Sequence, residues 1–168
     1  GANGHGKKGA RVSSFTSFHR DPGDIAGIQA AFDAGESDPV ALLESLLRRI
    51  DEAEPHVHAW TSVDRESALQ QAMHARDSLN RGERRSLLHG IPVAVKDVID
   101  VAGFPTRAGS RARTGQGPAA RDADVVRALR AAGAVILGKT VTTEFAYFDG
   151  VPPTRNPWHT GHTPGGSS

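Results

Sequence analysis

The first half of the chain repeats apolar residues at helical spacing, and each repeat follows a polar residue that suits a helix start. The pattern predicts three helices, at residues 24–34, 39–54 and 64–80. The second helix should start with Pro39 in its first turn and end before Pro55, because proline suits a first turn and breaks a helix interior. Residues 57–63 favour a short strand.

The second half contains short apolar runs that are separated by glycine-rich and proline-rich stretches. We predict strands at 91–95, 98–101 and 134–137, a helix at 123–132, and loops at 103–117 and 149–168. A helix followed by a fully apolar strand is typical of a buried parallel sheet. The order of the elements therefore predicts the α/β class.

The length of the chain permits one domain with a core, but both ends look truncated. At 168 residues the chain can bury enough apolar surface to fold. The only methionine is Met73, and the sequence stops inside a glycine-serine run. Residues 1–21 have few apolar groups, so we expect a disordered tail. We expect the chain to be a fragment.

Charge and cysteine content exclude several functions. Lysine and arginine total 20 against 19 acidic residues, so nothing indicates a nucleic-acid or anionic-membrane partner. The chain has no cysteine, which excludes disulfides, thiolate metal sites and a cysteine nucleophile. No apolar stretch approaches the ~18 residues of a membrane span. We therefore expect a soluble, cytoplasmic protein whose partner is a small molecule.

Lys96 is the first candidate for chemistry. The chain prefers arginine, and beyond Lys7 and Lys8 its only lysines are Lys96 and Lys139. Lys96 follows the predicted strand 91–95, and parallel strands are normally covered on both faces. An amine that is shielded from water can lose its charge and act as a base. The alternative is an ordinary lysine at the surface.

The end of the chain provides hydroxyl groups that such a base could deprotonate. Gly165 and Gly166 precede Ser167 and Ser168 in a run that also resembles a flexible linker. The approach to this run, residues 155–164, contains an aromatic residue and two prolines, which favour a docked loop. We therefore pair this turn with Lys96.

Residues 133–140 match the phosphate-binding pattern G-x-x-x-x-G-K-T. A phosphate loop needs a strand before its first glycine and free backbone amides between its glycines. Here a predicted helix comes before Gly133, and the intervening residues form a predicted buried strand. A nucleotide-binding protein is therefore an alternative function that we do not favour, and Lys139 is expected to be structural.

Histidines form only two close pairs, His56 with His58 and His159 with His162. Neither pair has an acidic partner at a ligand spacing such as H-E-x-x-H. We expect no metal and no cofactor.

Three segments resemble the amidase signature family of serine hydrolases. They are residues 90–97 around Lys96, residues 132–140 with the following 144–146, and residues 156–168, which end in the Gly-Gly-Ser-Ser run. The resemblance extends from about residue 38 to the last residue, with the segments in the order of the family. It implies a mixed sheet flanked by helices, with residues 22–168 as the amino-terminal portion of a single amidase domain.

The resemblance also implies a Ser–cis-Ser–Lys triad. It assigns Lys96 as the base and Ser167 as the cis serine, with a cis peptide between Gly166 and Ser167. Gly165, Gly166 and Ser168 then have supporting or substrate-binding roles. The nucleophilic serine and the oxyanion hole lie beyond residue 168, so we expect residues 160–168 to be poorly ordered in the isolated chain.

The activity implied for the intact enzyme is hydrolysis of a carboxamide C–N bond to an acid and ammonia or an amine. The fragment alone is expected to be inactive, and a non-catalytic interaction domain is the remaining alternative. Val98 and Ile99 after Asp97 favour a general amidase over a component of a tRNA amidotransferase. The substrate, beyond its being a small amide, and the oligomeric state stay open.

Overall fold

A computed structural model describes residues 23–147, 150 and 152–168 of the chain. The predicted tail at 1–21 lies outside the described residues. The regular elements are helices α1 (Ile25–Asp33), α2 (Pro39–Val57), α3 (Arg65–Asn80) and α4 (Asp124–Ala131), and strands β1 (Trp60–Val63), β2 (Pro92–Lys96) and β3 (Val135–Thr140). Two single 3₁₀ turns occupy Arg111–Arg113 and Glu144–Ala146. No regular element lies within 152–168, as predicted.

The strands form one mixed sheet in the order β1-β3-β2. Strand β3 lies in the centre, antiparallel to β1 and parallel to β2. The parallel pairing places the carboxyl ends of β2 and β3 side by side, with Lys96 opposite Thr140. This arrangement confirms the predicted α/β class with a mixed sheet flanked by helices.

A hydrophobic cluster lies on each face of β3. On one face Val135 and Leu137 pack with residues of α2 and α3. On the other face Ile136 packs with β2, α4 and the loop after β2. The buried members of the two clusters are Leu43, Ala68, Ala72, Val135 and Leu137 on the first face, and Val95, Val101, Phe104, Val126 and Ile136 on the second. The central strand therefore anchors the chain on both sides.

Aspartate side chains begin the first three helices. Asp24 accepts a hydrogen bond from the backbone N–H of Gly27, Asp38 from that of Val40, and Asp64 from that of Ser67. Each bond satisfies an N–H group that has no partner within its own helix, and such a cap typically contributes about 1 kcal/mol. These caps explain why the helix starts were predictable.

The predicted end of the second helix is wrong, because α2 continues through Pro55 to Val57. The helix ends at His58, whose φ of 53° is left-handed and whose N–H donates to the carbonyl of Glu54 at 3.0 Å. The carboxylate of Glu54 also accepts the N–H groups of Ala59 and Trp60, each at 2.9 Å. These hydrogen bonds compensate for the one that Pro55 cannot make. Because the helix continues to Val57, the strand predicted at 57–63 begins only at Trp60.

Two predictions around β2 are also wrong. Residues 98–101 form no strand, because the chain turns directly after Lys96, where the N–H of Ile99 donates to the carbonyl of Lys96 at 3.0 Å. Strand β2 lies at an edge of the described sheet, and it is not covered on both faces as expected: Ala94 is exposed and Lys96 is half-buried. Part of the amine's shielding from water is therefore absent from the described residues.

Gly138 allows β1 to lie close against β3. A Cβ at this position would lie 2.2 Å from the carbonyl oxygen of Ser62 and 3.0 Å from Cα of Val63. We expect Gly138→Ala to lower the free energy of unfolding by about 1–3 kcal/mol, because the strands must move apart. Gly115→Ala is the matched control, since a Cβ there meets nothing within 4 Å. Urea unfolding measures both, and equal stability of the two variants would contradict this packing.

No helix among the described residues is long and apolar enough to cross a membrane.

Candidate active site

Lys96 and Ser167 meet at the carboxyl end of β2. Lys96 is the last residue of the strand, and its Nζ forms a hydrogen bond with Oγ of Ser167, 71 residues later in the chain. Both side chains belong to residues that are half-buried. The structure thus brings together the two residues that the sequence analysis predicts as catalytic.

Three further hydrogen bonds attach this turn to the end of β3. The N–H of Thr143 donates to the carbonyl of Ser167 at 3.0 Å. Oγ of Ser168 donates to the carbonyl of Val141 at 3.2 Å and lies 3.0 Å from Oγ1 of Thr140. Because Ser168 has a single hydroxyl proton, Thr140 is the donor when Val141 is the acceptor. Both serines are therefore tied to the sheet.

The peptide bond between Gly166 and Ser167 is cis, as the resemblance implied. Gly165 before it has a φ of 91°, a left-handed value that favours glycine. Gly165, Gly166 and Ser168 are exposed, so much of the surface of this turn faces no described residue. The predicted poor order of 160–168 in the isolated chain stays a prediction.

The residue after Lys96 belongs to a buried ion pair. Nζ of Lys139 is 2.9 Å from Oδ1 of Asp97, and the two side chains are 0% and 2% exposed. Nζ also donates to Oγ1 of Thr106 at 3.0 Å, and the N–H of Arg107 donates to Oδ2 of Asp97 at 3.3 Å. Oδ1 of Asp97 accepts no hydrogen bond from the described residues, although Nζ of Lys139 is close. The two groups therefore form an ion pair whose angles do not suit a hydrogen bond.

This ion pair fixes the loop that packs against the end of β3. The N–H of Ala108 donates to the carbonyl of Asp97 at 2.9 Å, and the N–H of Phe145 donates to the carbonyl of Ala108 at 2.8 Å. Gly109 has a φ of 65°, and a Cβ there would lie 2.6 Å from the carbonyl oxygen of Thr142. Only glycine fits this close approach. The strand end, the loop and residues 142–145 therefore form one connected unit.

An open cleft of about 570 Å³ borders this unit. It is lined by Thr61, Gly109, Arg111, Val141, Thr142, Thr143, Glu144, Gly150, Pro152 and Pro153. Oε1 of Glu144 accepts a hydrogen bond from the buried Ser110 at 2.5 Å, which orients the carboxylate. The lining combines apolar groups with one cation and one carboxylate, and its size suits a small organic molecule.

The structure argues against a phosphate loop at residues 133–140. Helix α4 precedes Gly133, and residues 135–140 belong to β3, so their backbone groups serve the sheet. Lys139 is fully buried and paired with Asp97, as expected for a structural lysine. The histidine pair at 159 and 162 has ring centroids 4.3 Å apart. Within the described part of the chain, no three potential ligands cluster around a metal position.

Sequence reasoning missed two elements of this site. The ion pair of Asp97 with Lys139 joins the residue after β2 to a residue of β3, and the sequence pattern carried no sign of it beyond an acid directly after Lys96. The contact of Thr143 with Ser167 uses a backbone N–H, which every residue except proline has. No residue type could have identified it.

The comparisons with known proteins agree with this geometry. The family model described as Amidase matches residues 41–168, and the chain belongs to this family. A Mycobacterium bovis protein named "Putative amidase AmiB2" is 45% identical over an alignment of 159 residues that covers 88% of this chain and 34% of that protein. A glutamyl-tRNA(Gln) amidotransferase component from Salinispora tropica is 40% identical over 161 residues, covering 93% of this chain and 32% of that protein.

Solved structures show the same relationship. The native peptide amidase of Stenotrophomonas maltophilia matches with a TM-score of 0.79 and 38% identity, over 89% of this chain and 33% of that chain. The present chain therefore spans about a third of the length of the relatives it matches.

Proposed function

We propose that this chain provides the base and the relay serine of an amidase that hydrolyses carboxamide C–N bonds. The hydrogen bond between Nζ of Lys96 and Oγ of Ser167 is the observation that carries the proposal. The family membership supports the reaction class, because amidases are among the relatives that match the chain. The proposed chemistry requires no metal or cofactor.

The proposed relay moves one proton in each half of the reaction. The neutral amine of Lys96 accepts the hydroxyl proton of Ser167, while Ser167 accepts the proton of a nucleophilic serine whose Oγ attacks the amide carbon. The C–N bond then breaks, and the nitrogen leaves as ammonia or an amine after the relay returns the proton to it. Water attacks the resulting ester by the same route, which releases the acid and restores the serine.

The remaining residues of the turn have supporting roles in this proposal. Gly165 and Gly166 allow the backbone to approach a substrate closely, and Ser168 anchors the turn on Thr140 and Val141. We place the nucleophile and the oxyanion hole outside residues 1–168. Residues 22–168 are then the amino-terminal portion of one amidase domain, and the chain by itself is inactive.

The proposed substrate is a small molecule with a carboxamide group. The relatives include proteins named as an amidase, a peptide amidase and an amidotransferase, and all three names refer to an amide group. Val98 and Ile99 favour a general amidase among these. An interaction domain without catalysis gains no support from the contact of Lys96 with Ser167.

The test joins this chain to the remaining two-thirds of an amidase, for which the Stenotrophomonas maltophilia peptide amidase is a suitable donor; we call the product the extended enzyme. We expect it to release ammonia from a carboxamide that the donor hydrolyses, and we expect the 168-residue chain alone to release none. A folded extended enzyme without activity would contradict the proposal. Activity of the isolated chain would contradict the absence of the nucleophile.

A further inference from the structure

Thr143 lies beneath the turn that carries Ser167 and contacts it in two ways. Its N–H donates to the carbonyl of Ser167 at 3.0 Å. Its Cγ2 lies 3.7 Å from the position that a Cβ on Gly166 would occupy. Its Oγ1, by contrast, is buried and has no hydrogen-bond partner among the described residues. The backbone and the methyl group of Thr143 therefore serve the turn, while the hydroxyl does not.

Thr143 is itself held in place from three directions. Its carbonyl accepts the N–H of Ala146 at 2.9 Å and the hydroxyl of Thr142 at 3.0 Å. Gly109 lies so close that a Cβ there would be 3.2 Å from the Thr143 carbonyl. Gly109 belongs to the loop that is hydrogen-bonded to Asp97, the residue after Lys96. A single connected unit therefore carries Lys96 and the group that contacts Ser167.

We propose that Thr143 is the positioning residue for Ser167, and that its N–H holds the serine backbone so that Oγ stays within reach of Lys96. The inference rests on the proposed function, since positioning matters only if a proton passes between the two side chains. Proton transfer requires heavy atoms about 2.6–3.2 Å apart, and a displacement of about 1 Å can lower a rate about 100-fold. One backbone hydrogen bond therefore has a large effect on the relay.

Three substitutions separate the N–H from the side chain. Thr143→Pro removes the N–H, and the φ of −63° at this position already suits the proline ring. Thr143→Ala keeps the N–H and removes the hydroxyl and the methyl group. Thr143→Val keeps the N–H and the shape and removes only the hydroxyl, which has no partner in the described part of the chain. We expect the valine variant to raise the midpoint of thermal unfolding by about 2–4 °C, because a buried unpaired hydroxyl is lost.

The first measurement needs no activity and uses the folded extended enzyme, so that the predicted poor order of residues 160–168 in the isolated chain does not affect it. Nuclear magnetic resonance should detect a scalar coupling across the hydrogen bond between the Thr143 nitrogen and the Ser167 carbonyl carbon, in the wild type and in Thr143→Val. The Lys96 side-chain signals should shift much more in Thr143→Pro than in the alanine and valine variants, which keep the N–H. Absence of the coupling in the wild type would overturn the inference, even if the proline variant fails to fold. Unchanged Lys96 signals in a folded proline variant would also overturn it.

The second measurement uses the extended enzyme. We expect Thr143→Pro to lower kcat about 100-fold with little change in KM, while the alanine and valine variants, which keep the N–H, should lose much less of kcat. An equal loss in the proline and alanine variants would overturn a role for the N–H. The two proposals fail separately: inactivity of the unsubstituted extended enzyme contradicts the proposed function, whereas the scalar coupling is measured without turnover and tests the positioning alone.

Discussion

Replacing Lys96 by alanine should lower kcat of the extended enzyme by about 10²–10⁴-fold, the range for loss of a general base. The reason is that Ser167 then has no acceptor for its proton, since Nζ of Lys96 is its side-chain contact at the end of β2. Steady-state release of ammonia measures the effect. Arg127→Ala is the control, because Arg127 is an exposed residue of α4 whose guanidinium pairs with the exposed Asp124. Activity that survives the loss of Lys96 would remove the base from the mechanism.

A second variant distinguishes a base from a positive charge. Lys96→Arg keeps a charged side chain, but a guanidinium does not lose its proton in proteins. We therefore expect Lys96→Arg to be as inactive as Lys96→Ala. If the arginine variant retained activity, the role of Lys96 would be electrostatic, and the proton relay would be wrong.

Removing either member of the buried ion pair should strongly destabilise the chain. Asp97 and Lys139 are almost completely buried, so a single substitution leaves an uncompensated charge without water. We expect Lys139→Met or Asp97→Asn to lower the free energy of unfolding by about 3–5 kcal/mol. Urea unfolding of the 168-residue chain measures this change.

The double variant tests the physical reason for that loss. Replacing both charges, in Asp97→Asn with Lys139→Met, removes the unpaired charge, so we expect it to be less destabilising than the sum of the single changes. The exposed pair of Arg127 with Asp124 is the matched control, and removing it should lower the free energy of unfolding by at most about 1 kcal/mol. Equal effects of the buried and exposed pairs would show that burial of Asp97 and Lys139 has no energetic consequence.

The helices were predictable because their signals are local. Asp24, Asp38 and Asp64 each precede an apolar stripe, and each caps the helix that follows. Residues 3–4 positions apart lie on the same face of a helix, so the sequence indicated the apolar face of α2, which buries Leu43 against β3. The stripe predicted for the first helix was less accurate, because Ile25 is exposed and Gln29 is the buried residue of α1. Strand β3 was equally clear, because its apolar residues are buried on both faces.

The errors concern contacts that the pattern of apolar residues does not show. The end of α2 at Val57 depends on the carboxylate of Glu54, which accepts the N–H groups of Ala59 and Trp60 and so compensates for Pro55. The covering of β2 depends on which segments pack on Ala94 and Lys96, and strand order is not visible in a local pattern. The segments that cover Ala94 and Lys96 can be identified only after the order of the strands in the sheet is known.

The candidate site divides in the same way. Lys96 and Ser167 were identified from motifs, and the structure places them in contact. The groups that hold them were not, because Asp97 pairs with Lys139 on another strand and Thr143 acts through its backbone. Motifs thus indicated the groups that we propose to react, while the positions of these groups depend on long-range contacts.

The most direct test of the account is a double-mutant cycle on the proton relay in the extended enzyme. Lys96→Ala and Ser167→Ala should each lower kcat/KM by about 10²–10⁴-fold, and the double variant should lose no more than the worse single variant, because residues that act as one unit are not additive. Losses that multiply in the double variant would mean that Lys96 and Ser167 act independently, which would contradict a proton relay between them.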